Sequence, residues 1–359
     1  WTIEPISNLW IDLAEDEDYT GRHECSFVQA GDKFYLMGGR ENAKSLDIYD
    51  YNNNSWTSLT NSAPFEFNHF QATEYQGLIW VIGAFKNNSF PYEAPAEHIW
   101  AFDPIIQGWI QGPSIPASRR RGASGLVIYN NKFYVVGGNT DGHNGGYVPW
   151  FDEYDPTSGI WTTLSDAPRA RDHFHATVIT DKLYTVGGRL SGGSGSTFKP
   201  VIPEVDVFDF TTGIWSTLPP TANLPTPRAG ASVVNFNNKL VVIGGEVQNE
   251  LVYDVNTDDA LKITEEFDPV TGIWTRLADM KHDRHGTQAI VSGGGIFIVA
   301  GSPNRGGGNQ KNMESLDSSS PSGLPIIPSM INTPSSVQID SNSSKNIDLE
   351  LIGGNQGIF

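Results

Sequence analysis

The sequence predicts an all-β fold in which six four-stranded antiparallel sheets form a closed ring. Two motifs that recur along the 359 residues, and one tryptophan displaced towards the N-terminal end, support this prediction. The composition fits it as well. The chain has 38 Gly, 22 Pro and 11% aromatic residues, a mixture that is typical of many short strands joined by tight turns.

The first motif consists of Asp, five further residues and Trp. Asp favours the start of a turn, Gly in the three most similar copies supplies a positive φ, and Trp anchors the strand that follows. The copies are Asp50–Trp56, Asp103–Trp109, Asp155–Trp161, Asp209–Trp215 and Asp268–Trp274. The motif therefore predicts the turn between the last two strands of each sheet.

The second motif is an aromatic-aliphatic run that ends in small residues, and it predicts the second strand of each sheet. Its six copies are Phe34–Gly39, Ile79–Ala84, Phe133–Gly138, Leu183–Gly188, Leu240–Gly245 and Ile296–Gly301. The sixth copy has no Asp-x5-Trp after it, whereas Trp10 precedes the first copy. We therefore expect the strand of Trp10 to complete the sixth sheet, which removes the exposed edges of an open array.

Together these motifs resemble the kelch repeat over about residues 8 to 317. The resemblance implies a six-bladed β-propeller at residues 1–317, closed by the N-terminal strand. A Ser/Pro-rich linker at 318–335 and a strand-forming extension at 336–359 follow, the latter either the start of an Ig-like domain or an appendage. The family implies no single function, since its members include substrate adaptors, sialic-acid epimerases and the central domain of galactose oxidase.

Charge and cysteine content limit the function classes. With 23 basic and 41 acidic residues, the net charge of −18 argues against a nucleic-acid partner. Cys25 is the single cysteine, so no intrachain disulfide forms, and no apolar run is long enough for membrane insertion. We expect an extracellular or cell-surface location, because the sequence starts at Trp1 as if a signal peptide had been removed, although a shortened chain would look the same.

A ligand site is expected where the long loops between second and third strands gather, at the mouth of the channel. Two sets of side chains should point there. One set heads the first strands and comprises Arg22, Arg121, Arg171, Arg228 and Arg284. The other follows the small-residue ends of the second strands and comprises Arg40, Asn139, Arg189 and Glu246. Arginines in this position suit carboxylate ligands, but each Arg can instead pair with an acidic residue of a neighbouring blade.

Histidines add a possible metal site to this channel. His173 and His175 lie two apart on a strand, hence on one face, and His69 or His285 could supply a third ligand. Neutral imidazoles that are hydrogen-bonded inside the channel are favoured over a metal, so no metal and no cofactor is expected. Copper is not expected either, since the Tyr-His dipeptide of galactose oxidase-type sites is absent.

The sequence thus favours a propeller that works by binding, with a protein partner in a surface assembly or a glycan as ligand. Loop aromatics suited to stacking are Phe90, Tyr92, Tyr147, Trp150, Phe198 and Tyr253. The alternative is an enzyme that resembles the sialic-acid epimerases and acts on an acidic sugar. Its candidate acid-base groups are Glu24, Glu246, His173, His175 and His285.

Overall fold

A computed structural model describes residues 9–13, 18–192, 196–248, 260–317, 331–332 and 350–351. Its principal feature is a ring of six four-stranded antiparallel sheets, the blades, as expected. Blades 1 to 3 consist of β2 (Cys25–Ala30), β3 (Lys33–Gly38), β4 (Leu46–Asp50) and β5 (Ser55–Leu59); β6 (Ala72–Tyr75), β7 (Leu78–Val81), β8 (His98–Asp103) and β9 (Gly108–Ser114); and β10 (Gly125–Tyr129), β11 (Lys132–Val136), β12 (Phe151–Asp155) and β13 (Ile160–Thr163).

Blades 4 and 5 repeat this order, and blade 6 combines both ends of the ring. Their strands are β14 (Ala176–Ile179), β15 (Lys182–Thr185), β16 (Asp206–Asp209) and β17 (Ile214–Thr217); β18 (Ser232–Phe236), β19 (Lys239–Ile243), β20 (Thr264–Asp268) and β21 (Ile273–Arg276); and β22 (Ile290–Ser292), β23 (Gly295–Val299), β24 (Met313–Asp317) and β1 (Leu9–Asp12). Short 3-10 turns lie at Ala117–Arg119, Gly142–Asn144 and Pro220–Ala222. No helix among these described residues is long and apolar enough to cross a membrane.

The N-terminal strand closes the ring. β1 pairs antiparallel with β24, and Trp10 lies opposite Leu316 in that register. Trp10 is buried, and its indole N–H donates to Thr264 Oγ1 of blade 5 at 3.1 Å. The prediction that the displaced Trp completes the sixth sheet is therefore confirmed.

The Asp-x5-Trp motif is the turn between third and fourth strands. In the copy that starts at Asp155, the carboxylate accepts the backbone N–H groups of Thr157 and Ser158 at 2.8 and 3.3 Å. Gly159 has a φ of +70°, and Trp161 packs on Tyr154 with ring centroids 5.0 Å apart. The carboxylates of the other four copies accept the two corresponding N–H groups, so the motif is structural.

A closed chain of backbone hydrogen bonds joins the six blades at the axis. We call its six residues the axial ring; they are Glu24, His69, Ala123, His173, Gly230 and Gly286. From blade 2 onwards, each donates its N–H to the carbonyl oxygen of the ring residue in the preceding blade, at 2.7 to 3.1 Å. The N–H of Cys25 closes the chain onto Gly286 at 3.2 Å. All six residues have positive φ, between 49° and 66°.

The first strands are crowded around this axis, which explains their small residues. A Cβ atom added to Gly125 would lie 2.7 Å from the Cβ of Ala176 in the next blade. Larger side chains fill the wider spaces between blades further out. Trp80 and Phe133, for example, pack across the boundary between blades 2 and 3 with ring centroids 4.7 Å apart.

Beyond the ring, a short antiparallel pair joins Ile331–Asn332 to Glu350–Leu351. The first of these segments falls in the stretch expected to be a linker, and the second in the expected extension. The remainder of 318–359 lies outside the described residues, so the boundaries at 318–335 and 336–359 stay predictions.

Candidate functional site

The five arginines that head the first strands are buried within their own blades. Their exposure is 2% or less, and each forms an ion pair with a carboxylate on the third strand of the same blade. The pairs are Arg22–Asp47, Arg121–Asp152, Arg171–Asp206, Arg228–Glu265 and Arg284–Glu314. This placement differs from the channel mouth that the sequence suggested, and the partners are not in neighbouring blades. The guanidinium groups tie first and third strands together.

Blade 2 replaces this ion pair with two aromatic rings. Phe67 occupies the position of the arginine, and Trp100 lies three residues before Asp103, where the other blades have their acidic partner. The two rings contact each other with centroids 6.2 Å apart, and Phe67 also packs on Trp109 at 5.5 Å. In blade 2 the arginine and its acidic partner are therefore both replaced by aromatic residues.

Two members of the second expected set contact each other across blades. Arg189 pairs with Glu246, and the other carboxylate oxygen of Glu246 lies 3.4 Å from His285 Nε2. His285 is also 3.6 Å from Glu24 Oε1. Burial lowers the pKa of His285, but the carboxylates of Glu246 and Glu24 outweigh this and raise it. Blades 1, 4, 5 and 6 thus share one buried polar network.

Asn139 and Arg40 occupy the same position in blades 3 and 1. Asn139 is fully buried, and its side-chain oxygen accepts the N–H of Asp141 at 3.3 Å. Arg40 is partly exposed and pairs with Glu93 of the blade 2 loop at 2.5 Å. Loops from neighbouring blades therefore meet above the axis.

Three histidines converge beneath these loops. His69 and His173 belong to the axial ring, whereas His143 comes from the loop between β11 and β12. Their ring centroids are 4.7 to 4.8 Å apart, and one nitrogen of each lies within 4.8 Å of the others. The Nε2 atoms of His143 and His173 are 3.3 Å apart. We call these residues the histidine cluster.

Each Nδ1 atom of the histidine cluster faces an oxygen acceptor. His173 Nδ1 lies 2.5 Å from Asp172 Oδ1, and His143 Nδ1 lies 3.1 Å from Glu93 Oε1. His69 Nδ1 lies 2.6 Å from Asn68 Oδ1. The Asn68 amide is oriented by its nitrogen, which donates to two backbone carbonyl oxygens at 2.8 and 2.9 Å. Arg40 Nη2 also lies 3.5 Å from His143 Nδ1, but the Glu93 carboxylate is nearer. The hydrogen of each imidazole is thus assigned to Nδ1, and each Nε2 carries a lone pair.

Burial keeps the imidazoles of His69 and His173 neutral. It lowers the pKa of His69 to about 3, and it lowers the pKa of His173 well below the usual value, with a further contribution from Arg189. His175, the other member of the His-x-His pair, does not belong to the group of three histidines whose nitrogens converge. Burial lowers its pKa to about 4. Alternate residues on a regular strand would share a face, but His173 has a φ of +53°, so the strand is not regular there.

A small cavity adjoins the histidine cluster. Glu24, His69, His173 and His175 line it together with first-strand residues. Its volume of about 30 Å³ is enough for one or two water molecules. This cavity therefore has room for a small ligand beside the imidazoles.

Sequence reasoning missed His143 and Glu93. Both come from long loops, and the backbone N–H of His143 donates to the Pro91 carbonyl oxygen at 2.9 Å, which fixes one loop on the other. Gly142, with a φ of +59°, makes this close approach possible, because a Cβ there would lie 1.9 Å from Glu93 Oε2. The only local sequence feature that marked this loop was the His-Asn-Gly-Gly stretch that begins at His143.

The loops between second and third strands form one face of the propeller, which we call the loop face. Phe90 and Tyr92 of blade 2 and Tyr147 of blade 3 are 61, 60 and 38% exposed there. Trp150 and Phe198 are partly buried beneath arginines, with Arg119 4.6 Å above Trp150 and Arg189 5.1 Å from Phe198. Tyr253 lies outside the described residues.

Comparisons with known proteins agree with this architecture. The family model for the KLHDC2/KLHL20/DRC7 Kelch-repeats domain matches residues 7–188 and 112–301. The Kelch-like protein terF of Aspergillus terreus is 28% identical over 78% of this chain and 61% of its own length. Human Kelch-like protein 23 is 23% identical over 77% of this chain and 45% of its own length. This chain therefore spans about half to three fifths of the length of these relatives.

A solved structure shares the fold at low sequence identity. The structure of YjhT superposes with a TM-score of 0.68 at 16% identity, covering 84% of this chain and 95% of that one. This likeness concerns the fold alone. The family model matches most of the ring, and the structure has six blades that are closed by the N-terminal strand. The chain therefore belongs to the kelch-repeat family.

Proposed function

We propose that the chain binds a partner protein through the loop face, in an extracellular or cell-surface setting. Kelch domains mediate protein–protein interactions, which supports the general class. The observation that carries the specific proposal is the group of exposed aromatic side chains at Phe90, Tyr92 and Tyr147, all on loops of two adjacent blades. Aromatic residues are enriched among the residues that contribute most to protein interfaces.

The neighbouring loops hold these aromatic residues in place. The Phe90 ring packs on His143 with centroids 5.0 Å apart, and Arg40 lies 5.9 Å from its centroid. Both contacts reach other blades, so Phe90 rests on a rigid base. A rigid aromatic surface loses little conformational entropy on binding.

A matched pair of variants tests the loop face. The triple variant Phe90→Ala/Tyr92→Ala/Tyr147→Ala removes its exposed aromatic residues. The control, Ile160→Ala/Ile214→Ala/Ile273→Ala, removes three exposed apolar residues that begin the fourth strands of their blades, at the opposite face. A partner is first identified by affinity capture from the native source, and its binding to the purified variants is then measured by calorimetry.

We expect the loop-face variant to weaken binding at least about tenfold and the control to leave it unchanged. Equal losses in both variants, or a loss in the control alone, would place the partner elsewhere. A glycan array on the same proteins tests the carbohydrate alternative, and fractionation of the source cells tests the location. An epimerase requires turnover of sialic acid in an NMR assay; nothing described at the axis favours it, since the five blade arginines are already paired with carboxylates.

A further inference from the structure

The histidine cluster has an excess of acceptors. With the hydrogen of each imidazole assigned to Nδ1, the Nε2 atoms of His143 and His173, which are 3.3 Å apart, would present lone pairs to each other. The Nε2 atom of His69 has no hydrogen-bond donor among the described residues, and it faces the Glu24 carboxylate at 3.3 Å. Buried acceptors that lack a donor are costly, and lone pairs that face each other repel. A cation among them removes both penalties.

We propose that His69, His143 and His173 bind a divalent transition-metal ion at the propeller axis, and that zinc fits the site best. Three neutral imidazole nitrogens are the protein ligands of one class of zinc site, in which the fourth position holds water. The proposal goes beyond partner binding at the loop face and does not depend on it.

The distances suit tetrahedral coordination. Two Zn–N bonds of 2.0–2.1 Å at a tetrahedral angle place their nitrogens about 3.4 Å apart. The Nε2 atoms of His143 and His173 are already separated by 3.3 Å. The largest nitrogen separation in the cluster is no more than 4.8 Å, so His69 needs to approach by a shift on the order of 1 Å.

The residues around the cluster match the environment of metal-bound histidines. A ligating imidazole usually donates its second N–H to a carboxylate or carbonyl oxygen, which fixes its tautomer and orientation. Asp172, Glu93 and Asn68 provide one such oxygen for each imidazole. All three imidazoles therefore have an oxygen acceptor at Nδ1, and the Nε2 atoms of His143 and His173 face each other.

The cavity leaves space for a fourth ligand. His69, His173 and Glu24 line it, and it has room for one or two water molecules. The Glu24 carboxylate lies 3.3 Å from His69 Nε2, close enough to accept a hydrogen bond from a bound water. The proposed site therefore has three protein nitrogens and one open position.

Metal titration of the untagged full chain tests this proposal. The protein is stripped with a chelator, dialysed and titrated with Zn²⁺ by calorimetry, and the bound metal is counted by mass spectrometry. We expect one zinc per chain. His143→Ala should weaken binding at least about 100-fold, since loss of a residue that merely supports a ligand already costs 10–100-fold. His143 lies on a loop, so this variant leaves the axial ring intact.

Two further variants separate metal binding from folding. His143→Gln keeps an N–H donor for Glu93 but removes the imidazole, and it should bind no more zinc than His143→Ala. The control His282→Ala removes a partly exposed histidine outside the cluster, and it should bind zinc like the parent. Near-ultraviolet circular dichroism confirms that each variant is folded.

Cobalt provides a readout of geometry. Co²⁺ in the stripped protein should show the visible absorption of a tetrahedral site, and His143→Ala should abolish it. The proposal is overturned if the folded parent binds no zinc, if zinc binding persists in His143→Ala, or if the loss is equal in His282→Ala. The last two results would show adventitious binding at the surface.

Discussion

Arg228 and Glu265 form a fully buried ion pair within blade 5, with Nη1 and Oε2 2.5 Å apart. The arginine also donates to the backbone carbonyl oxygens of Thr226, Val242 and Gly244. One side chain thus satisfies one carboxylate and three peptide groups. The same arrangement in five blades indicates that these arginines hold the strands of each blade together.

Replacement of this arginine should strongly destabilise the protein. Arg228→Met removes the ion-pair partner of the buried Glu265 and the hydrogen bonds of the arginine to three carbonyl groups, and loss of one partner of a buried pair costs about 3–5 kcal/mol. Urea denaturation followed by tryptophan fluorescence measures the change. Arg276→Met, which breaks an exposed pair with Asp279, is the control and should cost about 1 kcal/mol or less. Similar losses for both variants would contradict this account.

Replacement of Ala300 by glycine should stabilise the protein. It has a φ of +59° at a position where the other blades have glycine, as at Gly244 with a φ of +63°. Ala300→Gly relieves this conformation and should raise the free energy of unfolding by about 1 kcal/mol. The reverse change, Gly244→Ala, should destabilise, because its Cβ would lie 2.4 Å from the Arg284 carbonyl oxygen. Thermal denaturation compares the two, and a gain in the second variant would refute the argument.

Loss of the Trp10 side chain should weaken ring closure. Trp10 is 3% exposed and joins β1 to blade 5 through its hydrogen bond to Thr264. Trp10→Ala should cost about 3–5 kcal/mol. Trp10→Phe should cost less, since it keeps much of the buried apolar surface but loses the indole N–H. Chemical denaturation measures both variants, and a negligible effect of Trp10→Ala would show that closure by β1 contributes little to stability.

Cys25 should be inert towards thiol reagents in the native protein. Burial raises the pKa of its thiol to about 12, and only the thiolate reacts. At pH 8 the thiolate fraction is roughly one in ten thousand, and Cys25 as a whole is only 2% exposed. Reaction with Ellman's reagent should be slow up to pH 10 and rapid in urea. Rapid reaction of the folded protein at pH 8 would contradict the burial described for Cys25.

Most of the fold was predictable because its signals are local. The turn carboxylate of Asp155 and the anchor Trp161 act within seven residues, and the same chemistry recurs in each blade. The offset of Trp10 then gave the blade number and the mode of closure. Local turn chemistry and a count of copies are enough to define a ring whose units are alike.

The role of the blade arginines was also present in the sequence, but in a longer-range pattern. An acidic residue lies three positions before the last Asp of the third strand wherever the first strand begins with Arg, as with Arg121 and Asp152. Blade 2 has Phe67 and Trp100 instead. The position of each arginine at the head of a first strand was clear from the sequence. The direction of its side chain, back into its own blade, was not.

The histidine cluster could be predicted only in part. His69 and His173 occupy equivalent positions in two repeats, so their proximity follows from the ring. His143 and Glu93 reach the axis through loops whose conformations depend on each other. No periodicity describes such loops, which is why the third imidazole was missed.

The pairing of β1 with β24 has a topological consequence. Leu9 lies opposite Asp317 in blade 6, so the first and last described strands of the propeller sit side by side. Which blade comes first along the chain therefore depends only on where the chain termini lie in the ring, and the packing of the blades does not depend on it. Circular permutation, with the cut moved to the connection between any two blades, preserves every hydrogen bond of the axial ring.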